Sequence, residues 1–208
     1  MFEIVFKTEL TVLGTDQSLT EQLLEEIRSN YSKADRYYHT LVHLDKLVNE
    51  LLPVKDKIHD WQTLVFSIAY HDIIYNTRKQ DNEEKSAELA FQRLTQLRLP
   101  AKQIEKCSNQ IKATKGHQLS SDSDTNYFTD ADLAILGSDH ESYKKYAAQI
   151  RKEYRFYPGF LYKPGRQKVL MHFLAMESIY KTDWFKEKYE SRARHSLSDE
   201  LGYQILDA

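Results

Sequence analysis

The chain predicts an all-α fold, and three observations carry that prediction. Only 6 Gly and 4 Pro interrupt 208 residues, so few points force the backbone out of a helix. Apolar residues recur at spacings of three and four, the period of a helix with one buried face. Sustained period-two alternation is missing, except for a weak strand candidate over residues 2–12. Typical helix lengths then give eight to ten helices in an orthogonal assembly.

The elements follow in order. Ser18 or Thr20 caps a helix carrying Leu19, Leu23, Leu24 and Ile27. Residues 40–52 repeat the pattern with Leu41, Leu44, Leu47, Val48 and Leu51, and stop at Pro53. Residues 61–70 are apolar on nearly every side, the mark of a central buried helix. After a polar loop over 76–81, Asp81 or Asn82 caps a helix with Glu83 and Glu84 in its first turn, where the dipole favours negative charge. Pro100 opens a helix over 101–114. Residues 120–126, SSDSDTN, read as a loop, and 130–136 as a short helix closed by Gly137. Ser138 or Asp139 caps a helix through Tyr154; Tyr157-Pro158-Gly159 is a turn; two further helices cover 165–180 and 184–202. The length fits a single domain, with a core over about 20–200 and residues 1–17 as an N-terminal extension.

Composition narrows the function. A net charge of -2, with charged residues at 29%, gives no global basic field for a long nucleic acid. The single cysteine, Cys107, permits no disulfide within the chain and suits a reducing cytoplasm. The N-terminus lacks the basic flank and unbroken apolar core of a signal peptide, and the apolar runs fall short of the roughly 20 residues of a membrane span. The sequence thus predicts a soluble, cytoplasmic protein that does not engage a membrane.

Candidate ligands stand in a suggestive order. His39 and His43 lie four apart and face one way if both are helical. His71 and Asp72 end the apolar helix, where a histidine suits the dipole and an aspartate does not. Asp130 and Asp132 open the short helix after the SSDSDTN loop. Imidazole and carboxylate donors from three helices could converge on one divalent ion and leave positions open for water and substrate. Such a shell suits Mn, Fe, Co, Ni or Zn better than Ca, with Mg also admitted.

The order His, His-Asp, Asp resembles the HD superfamily of metal-dependent phosphohydrolases. The likeness extends through RYYHTLVHL (36–44), AYHDIIY (69–75), DNEEKSAELA (81–90), IKATKGH (111–117), DADLAILG (130–137), IRKEY (150–154) and PGRQKVL (164–170). It covers roughly residues 20–200 and is similar to a bacterial subgroup of HD proteins. The resemblance implies His43, His71 and Asp72 as metal ligands. It favours Asp132 as the last one, since Asp132 follows a small residue and precedes apolar ones; Asp130 is the alternative ligand or a partner of the ligands.

Further roles stay open at the level of sequence. His39 is a partner of the ligands, a substrate group or an acid; His117 is either a surface histidine or a contact for phosphate or a second metal. The superfamily's nucleotidases carry a Glu soon after His-Asp. Here Ile73, Ile74 and Tyr75 stand in that region, which leaves Glu83 as the candidate general base beside Asp72. Arg36, Lys115, Arg151 and Arg166 are the cations nearest the motifs and the candidates for holding phosphate, Arg36 and Arg151 first. Tyr37, Tyr38, Tyr70 and Tyr75 read as core and cleft wall.

The expected reaction is hydrolysis of a nucleotide or other small phosphoester by a metal-activated water, on a protein that can stand as a homodimer. Two alternatives are a non-catalytic metal- or nucleotide-binding module and a di-iron oxygenase. The oxygenase needs two more histidines between His-Asp and the last Asp, and only His117 lies there.

Overall fold

The computed structural model describes residues 1–206. Among them are ten α-helices and no strand. The chain divides into two compact units, one ending at Thr129 and the other beginning at Asp130.

The first unit opens on α1 (Phe2–Val12), where a strand was the expectation. Phe2, Phe6 and Leu10 are its buried residues, four apart, so the helical period takes precedence over the shorter alternation. Phe6 meets Phe66 edge-on with ring centroids 5.5 Å apart, which ties α1 to the centre of the unit. In α2 (Gln17–Tyr31) the cap is Asp16 rather than Ser18 or Thr20: its carboxylate accepts from the Leu19 amide at 2.9 Å. Helix α3 (Leu41–Leu51) follows, then a 3₁₀ segment, Leu52–Lys57, with Pro53 in its first turn.

Helix α4 (Trp61–Tyr70) is the hub. Every residue from Thr63 to Tyr70 is buried, and α1, α3, α5 (Asn82–Gln96) and α6 (Ala101–Ala113) all pack on it. Asp60 caps it, accepting from the Thr63 amide at 3.0 Å and the Thr63 hydroxyl at 2.7 Å. Residues 123–126 are helical, against the loop expected there. They open α7 (Ser123–Leu133), held by Asp122, which accepts from the Thr125 amide and hydroxyl at 3.0 and 2.6 Å. The seven polar residues of SSDSDTN conceal a helix start because capping chemistry and loop chemistry use the same side chains.

The second unit begins inside α7. A 3₁₀ segment, Ala134–Gly137, leads to α8 (His140–Glu153), capped by Asp139. Helix α9 (Gly159–Ala175) starts six residues before the expected 165 and keeps Pro164 in its interior. Helix α10 (Asp183–Leu206) packs on residues 134–137 and on α9. The contact at Gly137 is close: a Cβ there would lie 2.6 Å from Tyr189 Cβ and 2.7 Å from the Tyr189 carbonyl. Arg192 Nε donates to the Gly137 carbonyl at 2.7 Å across the same approach.

A candidate metal centre at the end of helix α4

The first unit gathers three imidazoles around one carboxylate. Helix α4 ends at Tyr70, and the turn that follows presents His71 and Asp72. Three side chains hold that turn. Tyr31 Oη contacts the Asp72 amide, which donates to it at 3.2 Å; the Ile74 amide donates to Ser86 Oγ at 3.1 Å; and Arg36 Nη2 donates to the Ile73 carbonyl at 2.9 Å. His43 stands on the first turn of α3. His39 precedes that helix, in the segment before Thr40, so the two histidines do not share a helix as expected.

His43 Nε2 lies 3.1 Å from His71 Nε2. Asp72 Oδ2 lies 3.1 Å from His71 Nε2, 3.8 Å from His39 Nε2 and 3.9 Å from His43 Nε2. His43 and His71 are buried. The imidazole planes are fixed by neighbours: His43 against Tyr38 at 4.9 Å between centroids, His71 edge-on to Phe128 at 5.6 Å, and His39 against Tyr75 at 4.4 Å.

One hydrogen bond sets the chemistry. His71 Nδ1 faces the Ile68 carbonyl at 3.0 Å. A carbonyl only accepts, so Nδ1 carries the proton and donates, and the Nε2 lone pair is turned toward His43 and Asp72. A histidine oriented through Nδ1–H by a backbone carbonyl is the usual arrangement of a metal ligand. His71 Nε2 lies 3.1 Å from both a carboxylate oxygen and a second ring nitrogen, a spacing at which a proton or a cation can be shared. Two donors of one ion, each about 2.1 Å from it, stand about 3.0–3.4 Å apart when adjacent in the shell. The His43–His71 and His71–Asp72 spacings, 3.1 Å each, match a shared divalent cation in atom type and distance, and the His43–Asp72 spacing of 3.9 Å is wider.

Other predicted residues have different work. Asp130 is fully buried and its carboxylate accepts from the Lys181 amide, the Thr182 amide and the Thr182 hydroxyl at 2.8–3.0 Å, with Lys181 Nζ at 3.5 Å. It anchors the segment that leads into α10. Arg36, 6% exposed, bridges the His39 and Ile73 carbonyls with its two Nη groups and lies over the Tyr31 and Tyr75 rings. It braces the turn around Asp72 rather than presenting a fork to phosphate. Lys115 donates to the Gln80 carbonyl at 2.7 Å and to Glu84 at 2.5 Å, with Glu83 at 3.9 Å; Glu83 thus faces a lysine.

In the second unit, Arg151 donates to the Tyr154 and Tyr157 carbonyls at 2.8 and 3.0 Å and closes the turn before α9. Arg166 makes a buried two-pronged pair with Glu200, 2.8 Å for each prong. The four cations expected to hold phosphate are all engaged in building the fold. His117 sits at φ 49°, the left-handed residue that terminates α6, its amide donating to the Ala113 carbonyl at 2.9 Å.

Two structural anchors had weaker sequence signals. Tyr31 ends the Leu23, Leu24, Ile27 stripe of α2 and could have been placed on its buried face by spacing alone. Asp124 lies fully buried at the start of α7, accepting from the His59 and Asp60 amides at 2.8 and 2.9 Å and from Lys106 at 2.6 Å.

Comparison with known proteins found no family model, no curated protein and no solved structure that matches this chain.

Proposed function

We propose that the chain is a metal-dependent phosphohydrolase of the HD type, acting on a nucleotide or another small phosphoester. The observation that carries this reading is the meeting of three imidazole nitrogens on Asp72 Oδ2, at 3.1–3.9 Å. It is joined by the order of those residues along the chain, which resembles the superfamily's signature. By the resemblance in sequence, Asp132 is the further carboxylate of the set.

A divalent ion held there would supply an acidified water and a Lewis-acid contact for a phosphoryl oxygen. His71, oriented by the Ile68 carbonyl, and His43 would hold the ion. Asp72 is placed to orient the attacking water and take its proton. His39, the more open imidazole of the three, is placed to give a proton to the departing alkoxide as the phosphorus–oxygen bond breaks.

A second reading has its own support. Arg36, Lys115, Arg151 and Arg166 are all engaged by carbonyls or carboxylates, which favours a metal-binding module without turnover. One experiment separates the two: phosphate release from a panel of nucleotides and small phosphoesters with Mn²⁺ or Co²⁺. Turnover that Asp72→Ala abolishes supports the hydrolase. Stoichiometric metal with no turnover supports the module. A protein that binds no divalent ion refutes both.

A further inference from the structure

Helix α9 turns an apolar, cationic face to solvent. Residues 160, 161, 164, 165, 168, 169, 171 and 172 are all exposed, and they form one side of the helix at 100° per residue. Arg166, Leu170 and Phe173 form the buried side. The outward side holds Phe160, Leu161, Val169 and Met171, with Lys168 and His172 and no acidic residue. Phe160 is 75% exposed, and Phe156, in the turn just before the helix, is 60% exposed with the Arg155 guanidinium 4.9 Å from its ring centre. Isolated exposed apolar residues are ordinary, whereas Phe156, Phe160 and Leu161 are three exposed large apolar residues within six positions of the chain.

The charge around it is lopsided. Residues 151–172 contain six basic residues and one acidic, in a chain whose net charge is -2, and four of the six remain once Arg151 and Arg166, bound within the fold, are set aside. The one acidic residue, Glu153, is buried. Lys152 and Arg155 are exposed just before the aromatic tip in the chain, and Lys168 is exposed farther along the outward side of α9. Aromatic and aliphatic side chains rimmed by cations suit an anionic lipid surface, where rings enter the headgroup boundary and each cation adds attraction.

We propose that the face formed by Phe156 and the outward side of α9 docks on anionic phospholipid bilayers, as a peripheral contact. No helix among the described residues is long and apolar enough to cross a membrane. This inference is independent of the metal centre.

The test is co-sedimentation of the full chain with phosphatidylcholine vesicles, with and without phosphatidylglycerol. Binding should require the anionic lipid, weaken as salt rises, and fall at least about tenfold in Phe160→Ser/Leu161→Ser, whose two apolar side chains would otherwise leave water. Arg155→Glu/Lys168→Glu, with both sites already exposed, should also lose at least about tenfold, since each cation near the surface is worth about fivefold. Far-UV circular dichroism confirms that each variant stays helical. Failure to bind the anionic vesicles overturns the proposal, as does equal binding by the folded variants. A wild-type dimer that Phe160→Ser/Leu161→Ser converts to monomer would overturn it too, by assigning this face to a second copy.

Discussion

His43 Nε2 and His71 Nε2 lie 3.1 Å apart although 28 residues separate them in the chain. Their meeting puts a helix start and a helix end at one point. The Ile68 carbonyl fixes which nitrogen of His71 faces inward. A metal titration followed by calorimetry should give a stoichiometric divalent site. His71→Ala and Asp72→Ala should each weaken it by at least about 100-fold, beyond the 10–100-fold typical of residues that only support ligands. Unchanged affinity in both variants would show that the cation binds elsewhere.

Arg36 should matter through geometry. Its guanidinium joins the His39 carbonyl to the Ile73 carbonyl, one residue from Asp72. Arg36→Ala should cost about 2–4 kcal/mol in urea denaturation, from two hydrogen bonds to a charged donor. Arg36→Lys should recover little, since a single ammonium cannot span both carbonyls as the fork does. A variant with wild-type stability would return Arg36 to the pool of ligand-binding cations.

Asp124 makes stability depend on acid. Burial alone would raise its carboxyl, but the hydrogen bond from Lys106 and the His59 and Asp60 amides outweigh it, so its pKa falls below 3.8. A depressed carboxylate adds stability that is complete above the unfolded-chain value and is lost as pH falls through the folded one. Wild type should therefore lose part of its stability as pH drops below about 3.8. Asp124→Asn should be less stable at neutral pH and show a smaller loss between pH 5 and pH 3, measured by thermal melts.

Cys107 should be inert. It is fully buried, and burial pushes its thiol up to about 12. The thiolate is the reactive form. A disulfide reagent such as Ellman's should leave the native protein unlabelled at pH 8 over minutes and titrate one thiol in guanidinium. Rapid native labelling would mean that α6 opens.

The sequence carried the helical architecture well, and it drew attention to His71 and Asp72 for the same reason. Helix α4 is apolar on all sides, so polar residues at its end stand out against the period. Phe2, Phe6 and Leu10 read as either period until packing on Phe66 selected the helix. Side-chain partners were the illegible part. Arg151 and Arg166 belong to motifs rich in chemistry, yet one closes a turn and the other pairs with Glu200, 34 residues away. No local pattern distinguishes a cation that waits for phosphate from one that is bound by its own chain. The choice between Asp130 and Asp132 was of the same kind, and the amides of Lys181 and Thr182 give Asp130 its structural role.

Gly137 carries a consequence for how this chain can vary. The backbone of Tyr189 occupies the space that any β-carbon at 137 would need, so even alanine would displace the last long helix. A saturation library would then show a one-residue gap in tolerance at 137, whose cause lies more than fifty positions downstream. Recombination with a distant homologue across that stretch would succeed only when both segments came from the same parent.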